Sequence, residues 1–322
     1  MSNTDHHIVV TEPYESWAVD RLREAGTVTI LPACDEATLL HAVSTADALL
    51  IRTYSQISAQ VIAHAPQLRV IGRAGVGVEN IDLVAAAERG IVVVSTPDAS
   101  TDAVADLTLG LLIALTRGIV TADAATRAGK FHQARKSNAE QEMHQLTVGI
   151  LGMGRIGRAV GQRCRNGFGM RVIYHDVVDP GWLPFAAEQV TLDGLIQTSD
   201  VLTLHVPLTA QTRGLVNQAA MRRMKKSAYL INTCRGAVVD NLALAECLHC
   251  GNLAGAALDV TEPEPLPMDH PLMSAPGTIL TPHVGAKTAA AHRRMNEVIE
   301  DVIRVLQGRQ PINPCGNVPE RA

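Results

Sequence analysis

TVGILGMGRIGRAVGQRCRNGFGMRVIYHD, Thr147 to Asp176, runs from an apolar segment through a glycine-rich turn and an amphipathic segment into a second apolar run. That order predicts strand, phosphate loop, helix and strand. Gly152, Gly154 and Gly157 form G-x-G-x-x-G. The first glycine permits a tight turn, the second lets backbone approach a pyrophosphate, and the third packs helix on strand. N–H groups opening the helix, near Arg155 and Ile156, would hold the phosphates of a dinucleotide. Asp176 closes the second strand about twenty residues on, where a carboxylate can accept from a ribose 2′-hydroxyl.

Outward from this unit, the whole chain has 322 residues and is 47% hydrophobic, which is enough for a substantial core and for about two domains. A net charge of −4 gives no basic footprint for nucleic acid. The start, MSNTDHHIVV, carries no basic segment followed by a long apolar one, and no apolar run is long enough to span a bilayer. Six scattered cysteines without an export signal favour reduced thiols in a cytoplasm. Cys247 and Cys250 form C-x-x-C in a helical context with no second pair nearby, so packing is expected and a metal site is not.

Before residue 99, short β-branched runs (HIVV, TVTIL, ALLIR, RVIGRA, IVVVST) alternate with amphipathic segments, which indicates a small doubly wound parallel sheet. AGVGVEN, from Ala74 to Asn80, ends its fourth strand, where Gly75 and Gly77 could bare N–H groups to a carboxylate. TDAVADLTLGLLIALT, from Thr101 to Thr116, is apolar on nearly every side. It is expected to be buried, to cross between domains and to supply a subunit interface. A helix near Ala122 to Arg127 and a loop follow. Beyond Asp176, strands are expected at VLTLHVP, AYLINT, AGAALDV and TIL, and a single long helix from Ala289 to Leu306.

Arg235, Asp259 and His283 each follow a predicted strand of the glycine-loop sheet, and parallel strands put such ends on one edge. Together with Glu264 in a connecting loop they suit hydride transfer to a 2-oxo acid. An arginine can grip carboxylate and carbonyl oxygens, a histidine can pass the proton, and a carboxylate can orient the histidine.

LLIRTYSQIS, GRAGVGVENID, GILGMGRIGR, HVPLTAQTRGLVN, INTCRGAVVD, AGAALDVTEPEPL and TPHVGAKT occur in that order, and over nearly its full length the chain resembles the D-isomer-specific 2-hydroxyacid dehydrogenases. Its wording is most similar to the catalytic part of phosphoglycerate dehydrogenases, without a regulatory C-terminal domain. The resemblance implies an NAD-dependent enzyme of the phosphoglycerate, glycerate/glyoxylate or hydroxypyruvate type. It implies Arg235 on the substrate's carboxylate and carbonyl, His283 as acid or base, Glu264 as its partner, and Asp259 near the nicotinamide carboxamide. Further cofactor contacts are implied at Val206, Pro207, Thr212, Thr233, Cys234 and Gly285, and substrate contacts at Arg52, Val76 and Gly77. It also implies a Rossmann-type NAD-binding domain over 99–287, and a smaller flavodoxin-like substrate domain made of 1–98 joined by 288–322. An active-site cleft between the domains and a homodimer through the 101–118 region complete the expectation.

Departures from the family's wording fall at Thr261, where an aromatic is frequent, and at Lys287, where a serine or threonine is frequent. STPDAST, around Ser95 and Pro97, lacks a frequent asparagine, and QEMHQL, Gln141 to Leu146, lacks the usual glycine and lysine. None removes a catalytic group. Formate oxidation is disfavoured, because that branch replaces the glutamate partner by glutamine. The alternative is a dinucleotide-sensing corepressor-like interaction protein on the same fold.

Overall fold

A computed structural model describes residues 6–32, 35–136 and 141–316. The chain divides into two compact units, Met1–Ser100 with Thr288–Ala322, and Thr101–Lys287. Each is built on one parallel sheet, as the alternation of apolar runs and amphipathic segments predicts.

In the first unit, β1 (His6–Val10), β2 (Gly26–Ile30), β3 (Ala48–Ile51), β4 (Val70–Arg73) and β5 (Val92–Ser95) lie in the order β2-β1-β3-β4-β5. Every pairing is parallel. Strands β3 and β5 are buried throughout, because helices cover both faces of the sheet. One face packs Val9, Leu49, Ile51, Ile71 and Val93 against Leu39, Val61 and Ile62. The returning C-terminal segment packs on the sheet at Gly72, where a Cβ would come within 2.5 Å of the Val302 side chain. This segment is two helices, Ala289–Asn296 and Val298–Leu306, broken at Glu297, rather than the single helix expected.

The second unit arranges β6 (Thr147–Leu151), β7 (Arg171–His175), β8 (Glu188–Gln189), β9 (Val201–Leu204), β10 (Tyr229–Asn232), β11 (Gly255–Leu258) and β12 (Thr278–Leu280) as β12-β11-β10-β9-β6-β7-β8. The order reverses at β6, the point where dinucleotides bind in doubly wound sheets. The elements not expected include the short helix Phe131–Ala134, where a loop is expected, β8, two exposed residues pairing with β7, and the helix Leu192–Thr198, started by Thr191 Oγ1 accepting from the Gly194 N–H.

Nine residues of the helix Thr101–Thr116 are buried, and Leu109, Leu111, Leu112 and Leu115 share a core with Ile150, Val160, Ile231 and Ala257 of the same unit. Packing on the sheet and on the helix Arg155–Phe168 therefore accounts for most of its apolar surface. Arg163 reinforces that helix pair with bonds of 2.9 Å to Asp102 and 3.0 Å to Asp106. Among the described residues no single helix is long and apolar enough to cross a membrane. Among the described residues Cys164, Cys234, Cys247, Cys250 and Cys315 are free thiols; Cys247 is buried, as packing predicts, whereas Cys250 is exposed.

His205 follows β9. Its Nε2 lies 2.9 Å from Thr203 Oγ1, while Nδ1 is buried without a partner, and burial pushes its pKa down to about 3. The unfolded chain takes up this proton near pH 6.5 and the folded chain does not, so stability is lost as pH falls below that value. Between pH 7.5 and 5.5 urea unfolding should lose about 1.4 kcal/mol from this group. His205→Asn should show a correspondingly smaller loss.

Candidate active site

Two of the three glycines of the phosphate loop are held to glycine by separate steric constraints. Gly152 has φ +94°, and a Cβ there would lie 2.5 Å from the His205 carbonyl oxygen. A Cβ on Gly157 would sit 2.0 Å from the Gly152 carbonyl oxygen. At Gly154, the N-cap of Arg155–Phe168, a Cβ would meet nothing within 4 Å, so the omission leaves open space beside the helix start. The first N–H groups of such a helix have no acceptor within the helix, which is why a helix N-terminus suits an anion.

Asp176 closes β7 with its carboxylate turned to the loop. Oδ2 accepts from the Met153 N–H at 2.7 Å, and Oδ1 from the Val178 N–H at 2.9 Å. The residue singled out for a ribose contact thus also fixes the phosphate loop. Nearby, Arg158 donates to the Met153 and Pro180 carbonyls, which ties the following loop to the helix. Val206 and Pro207 continue from β9, and Thr212 folds their loop back by donating to the Pro207 carbonyl at 2.6 Å.

β10 runs into Thr233, Cys234 and Arg235. Thr233 Oγ1 lies 3.1 Å from Thr108 Oγ1, and the Asn232 side chain accepts from the Cys234 N–H at 3.0 Å and donates to the Arg235 carbonyl at 2.9 Å. This local clamp sets the turn from which the half-buried Arg235 projects, and one of its guanidinium nitrogens donates to the Cys234 carbonyl at 2.7 Å. Burial pushes the Cys234 thiol up to about 11, which keeps it protonated near neutrality. Gly236 is required because a Cβ would lie 2.0 Å from the Thr261 backbone. That approach, with Asn241 donating to the Glu262 carbonyl at 2.9 Å, brings the loop carrying Glu264 against the turn after β10.

Asp259 ends β11 and is only 2% exposed. Its carboxylate accepts from the Thr281 hydroxyl at 2.6 Å and from the Val284 and Gly285 N–H groups, each at 2.8 Å. It thereby grips the turn after β12 on both sides of His283. His283 itself has φ +52°, a left-handed conformation rare for residues other than glycine, although histidine tolerates it better than most. Its N–H donates to the Asp259 carbonyl at 2.8 Å, which helps hold it there. The ring is then within reach of Glu264: Nδ1 lies 2.8 Å from Oε1, with both side chains partly exposed. Arg235, Asp259 and His283 follow three adjacent strands, β10, β11 and β12, so the fold brings them to one edge together with the glycine loop. The role of Asp259 in shaping the His283 turn is the feature that the sequence did not announce. Lys287 is exposed, and its backbone N–H donates to the Val284 carbonyl at 2.8 Å.

In the other unit, Arg52 follows β3, and Val76 and Gly77 follow β4. The Gly75 N–H is not bared as expected: it donates to Thr96 Oγ1 at 2.9 Å, because the φ of +143° turns it towards β5.

A model of the D-isomer specific 2-hydroxyacid dehydrogenase NAD-binding domain matches residues 109–285. The chain is similar to a D-3-phosphoglycerate dehydrogenase of Methanocaldococcus jannaschii, 39% identical over 319 residues, which are 97% of this chain and 60% of that protein. It thus spans about three fifths of the length of that relative. A glyoxylate reductase of Thermofilum pendens is 42% identical over 281 residues, 85% of this chain and 82% of that one. Among solved structures, an NADPH-dependent glyoxylate/hydroxypyruvate reductase from Sinorhizobium meliloti superposes with a TM-score of 0.87 at 29% identity, over 98% of this chain and all of that one.

The Asp259 contacts carry a direct expectation. Asp259→Asn would turn an amide NH2 towards N–H or O–H donors, leaving at least one of them unpaired in a buried place. The variant should lose about 1–3 kcal/mol in urea unfolding. The Val284 and Gly285 amides should exchange faster with deuterium; unchanged protection would show that the turn stands without the carboxylate.

Proposed function

The chain belongs to the D-isomer-specific 2-hydroxyacid dehydrogenase family, and on that basis we propose that it transfers a hydride between a nicotinamide dinucleotide and a small D-2-hydroxy acid or its 2-oxo counterpart. The observation that carries this reading is the 2.8 Å contact between Glu264 and His283 Nδ1, on the sheet edge that also bears Arg235 and the glycine loop. Relatives named as dehydrogenases and reductases support catalysis over dinucleotide sensing.

Bound NAD would supply the hydride acceptor and, when reduced, the donor. The chain suits that group: there is open space at Gly154, the N-terminus of the next helix begins there, and Asp176 stands at the end of β7. With Nδ1 engaged by Glu264, His283 has Nε2 left to give a proton to the carbonyl oxygen during reduction, and to take it from the hydroxyl during oxidation. Arg235 would grip the substrate's carboxylate and carbonyl, its fork oriented by the Cys234 carbonyl. Val206, Pro207, Thr212, Thr233, Cys234, Asp259 and Gly285 line the remaining cofactor path. Arg52, Val76 and Gly77 would receive the distal part of the acid. The assembly is read as a homodimer through the 101–118 region, whose Ala114 lines a groove of about 480 Å³ with Val120, Ala125, Tyr229 and Ile279, and the protein is read as cytoplasmic.

The test is a screen of NADH oxidation with glyoxylate, hydroxypyruvate, phosphohydroxypyruvate, pyruvate and bulkier 2-oxo acids. Turnover of at least one supports the reading, and turnover of none overturns it. For the best substrate, Arg235→Lys should lower kcat/KM by about 10- to 150-fold, since a point charge replaces a two-pronged donor. NADH binding should survive.

NAD is favoured over NADP, because the Asp176 carboxylate can accept from ribose hydroxyls and repels a 2′-phosphate. The kcat/KM ratio of NADH to NADPH should be roughly 10–150. Asp176→Ala should collapse that ratio. Both cofactors should also bind more weakly, since the Met153 N–H loses its acceptor. A wild type indifferent to the 2′-phosphate would remove the argument.

A further inference from the structure

Open parallel sheets bind ligands where the strand order reverses, beyond the carboxyl ends of the strands. In the first unit that point lies between β1 and β3. There the structure holds an anion of its own. Glu12, two residues beyond β1 and 8% exposed, sends its carboxylate across to the segment Arg52–Ser55 after β3. Oε1 accepts from the N–H groups of Arg52 at 2.9 Å, Tyr54 at 3.1 Å and Ser55 at 3.3 Å, and from the Ser55 hydroxyl at 3.0 Å. Oε2 accepts from the Thr53 N–H at 3.0 Å. Four consecutive backbone N–H groups converging on one point form the concave donor set that otherwise cradles a phosphate.

The same segment is gripped from its other side. The Asn80 side chain donates to the Ser55 carbonyl at 2.7 Å and to the Arg52 carbonyl at 3.3 Å, and Ile57 pairs with Ile81 as an isolated parallel bridge. Asn80 belongs to the loop that carries Val76 and Gly77. Glu12 therefore sits at the root of a chain of bonds linking both loops assigned above to the distal part of the acid. Arg52 is steered further by Pro13, whose carbonyl accepts from its guanidinium at 3.1 Å. Tyr54 stands beside it with 82% of its surface exposed, its backbone fixed and its ring free to meet a ligand.

The geometry points to Glu12 as a positioning residue: a built-in carboxylate that occupies the donor nest at the β1/β3 reversal and so sets Arg52 and Tyr54 for the substrate. This rests on the dehydrogenase reading for its kinetic consequence, but not for its structural one. The carboxylate has no part in hydride or proton transfer. Its removal should act on substrate recognition and leave the chemistry of the bound complex largely alone.

Glu12→Ala empties the nest, and acetate is the missing fragment. In this variant KM for the 2-oxo acid should rise by about tenfold or more, as expected for losing several bonds to a charged acceptor. The Kd for NADH should not change, and kcat should fall by much less than KM rises. Added acetate should lower KM towards the wild-type value, while chloride at equal ionic strength should not. Amide deuterium exchange over residues 52–55, read without substrate, should speed up in Glu12→Ala and slow again with acetate. Glu12→Gln, which keeps the size but turns donors towards donors, should resemble Glu12→Ala and resist rescue. A KM within twofold of wild type, a loss confined to kcat or to folded yield, or unchanged exchange at 52–55 would each overturn the assignment. A wild type inactive on every 2-oxo acid would instead overturn the function reading and the kinetic role with it, whatever the exchange data show.

Discussion

Asp259 ends its strand with a carboxylate that is buried and satisfied by donors from a single turn, and the placement of His283 follows from that arrangement. A buried carboxylate is costly unless its oxygens are hydrogen-bonded, so the turn after β12 has to wrap around it. The Thr281 hydroxyl and the Val284 and Gly285 N–H groups meet this requirement. Wrapping so tightly puts His283 in a left-handed conformation, and from there its ring meets Glu264. The loop bearing Glu264 is positioned in turn by Gly236, which admits the Thr261 backbone, and by Asn241. Removing any of these contacts acts on the Glu264–His283 pair without touching it.

The first unit uses the same physics at its own strand ends. Glu12 gathers backbone donors after β3 much as Asp259 gathers them after β12, and Asp176 does so for the phosphate loop through Met153. In each case a carboxylate at the carboxyl end of a parallel strand accepts N–H groups from a neighbouring turn. That edge is where loops must hold shape without a ladder of their own. Side-chain acceptors supply the satisfaction that secondary structure cannot.

The apolar helix Thr101–Thr116 shows what composition alone leaves open about position. Its near-continuous apolar character invites an intermolecular reading. In the structure most of that surface meets β10, β11 and the helix Arg155–Phe168 of its own unit. Such a helix is apolar on several sides because it lies in a corner between a sheet and another helix. Sequence periodicity cannot tell that corner from a subunit contact.

By itself the sequence determined two doubly wound parallel sheets, because strands covered on both faces must be continuously apolar, and the helices between them must alternate. It also determined the phosphate loop, in which Gly152 and Gly157 answer local steric needs, and the strand ends where Arg235, Asp259 and His283 fall. Only the tertiary structure decided β8 and the helix Leu192–Thr198, whose exposed or short segments carry no strong periodicity, and the break at Glu297. Only it decided that the Gly75 N–H belongs to Thr96, that Asp176 grips Met153, and that Glu12 fills the nest at Arg52–Ser55. Those contacts join residues 21 to 43 positions apart, and which side chain meets which turn is set by strand order and register rather than by local pattern.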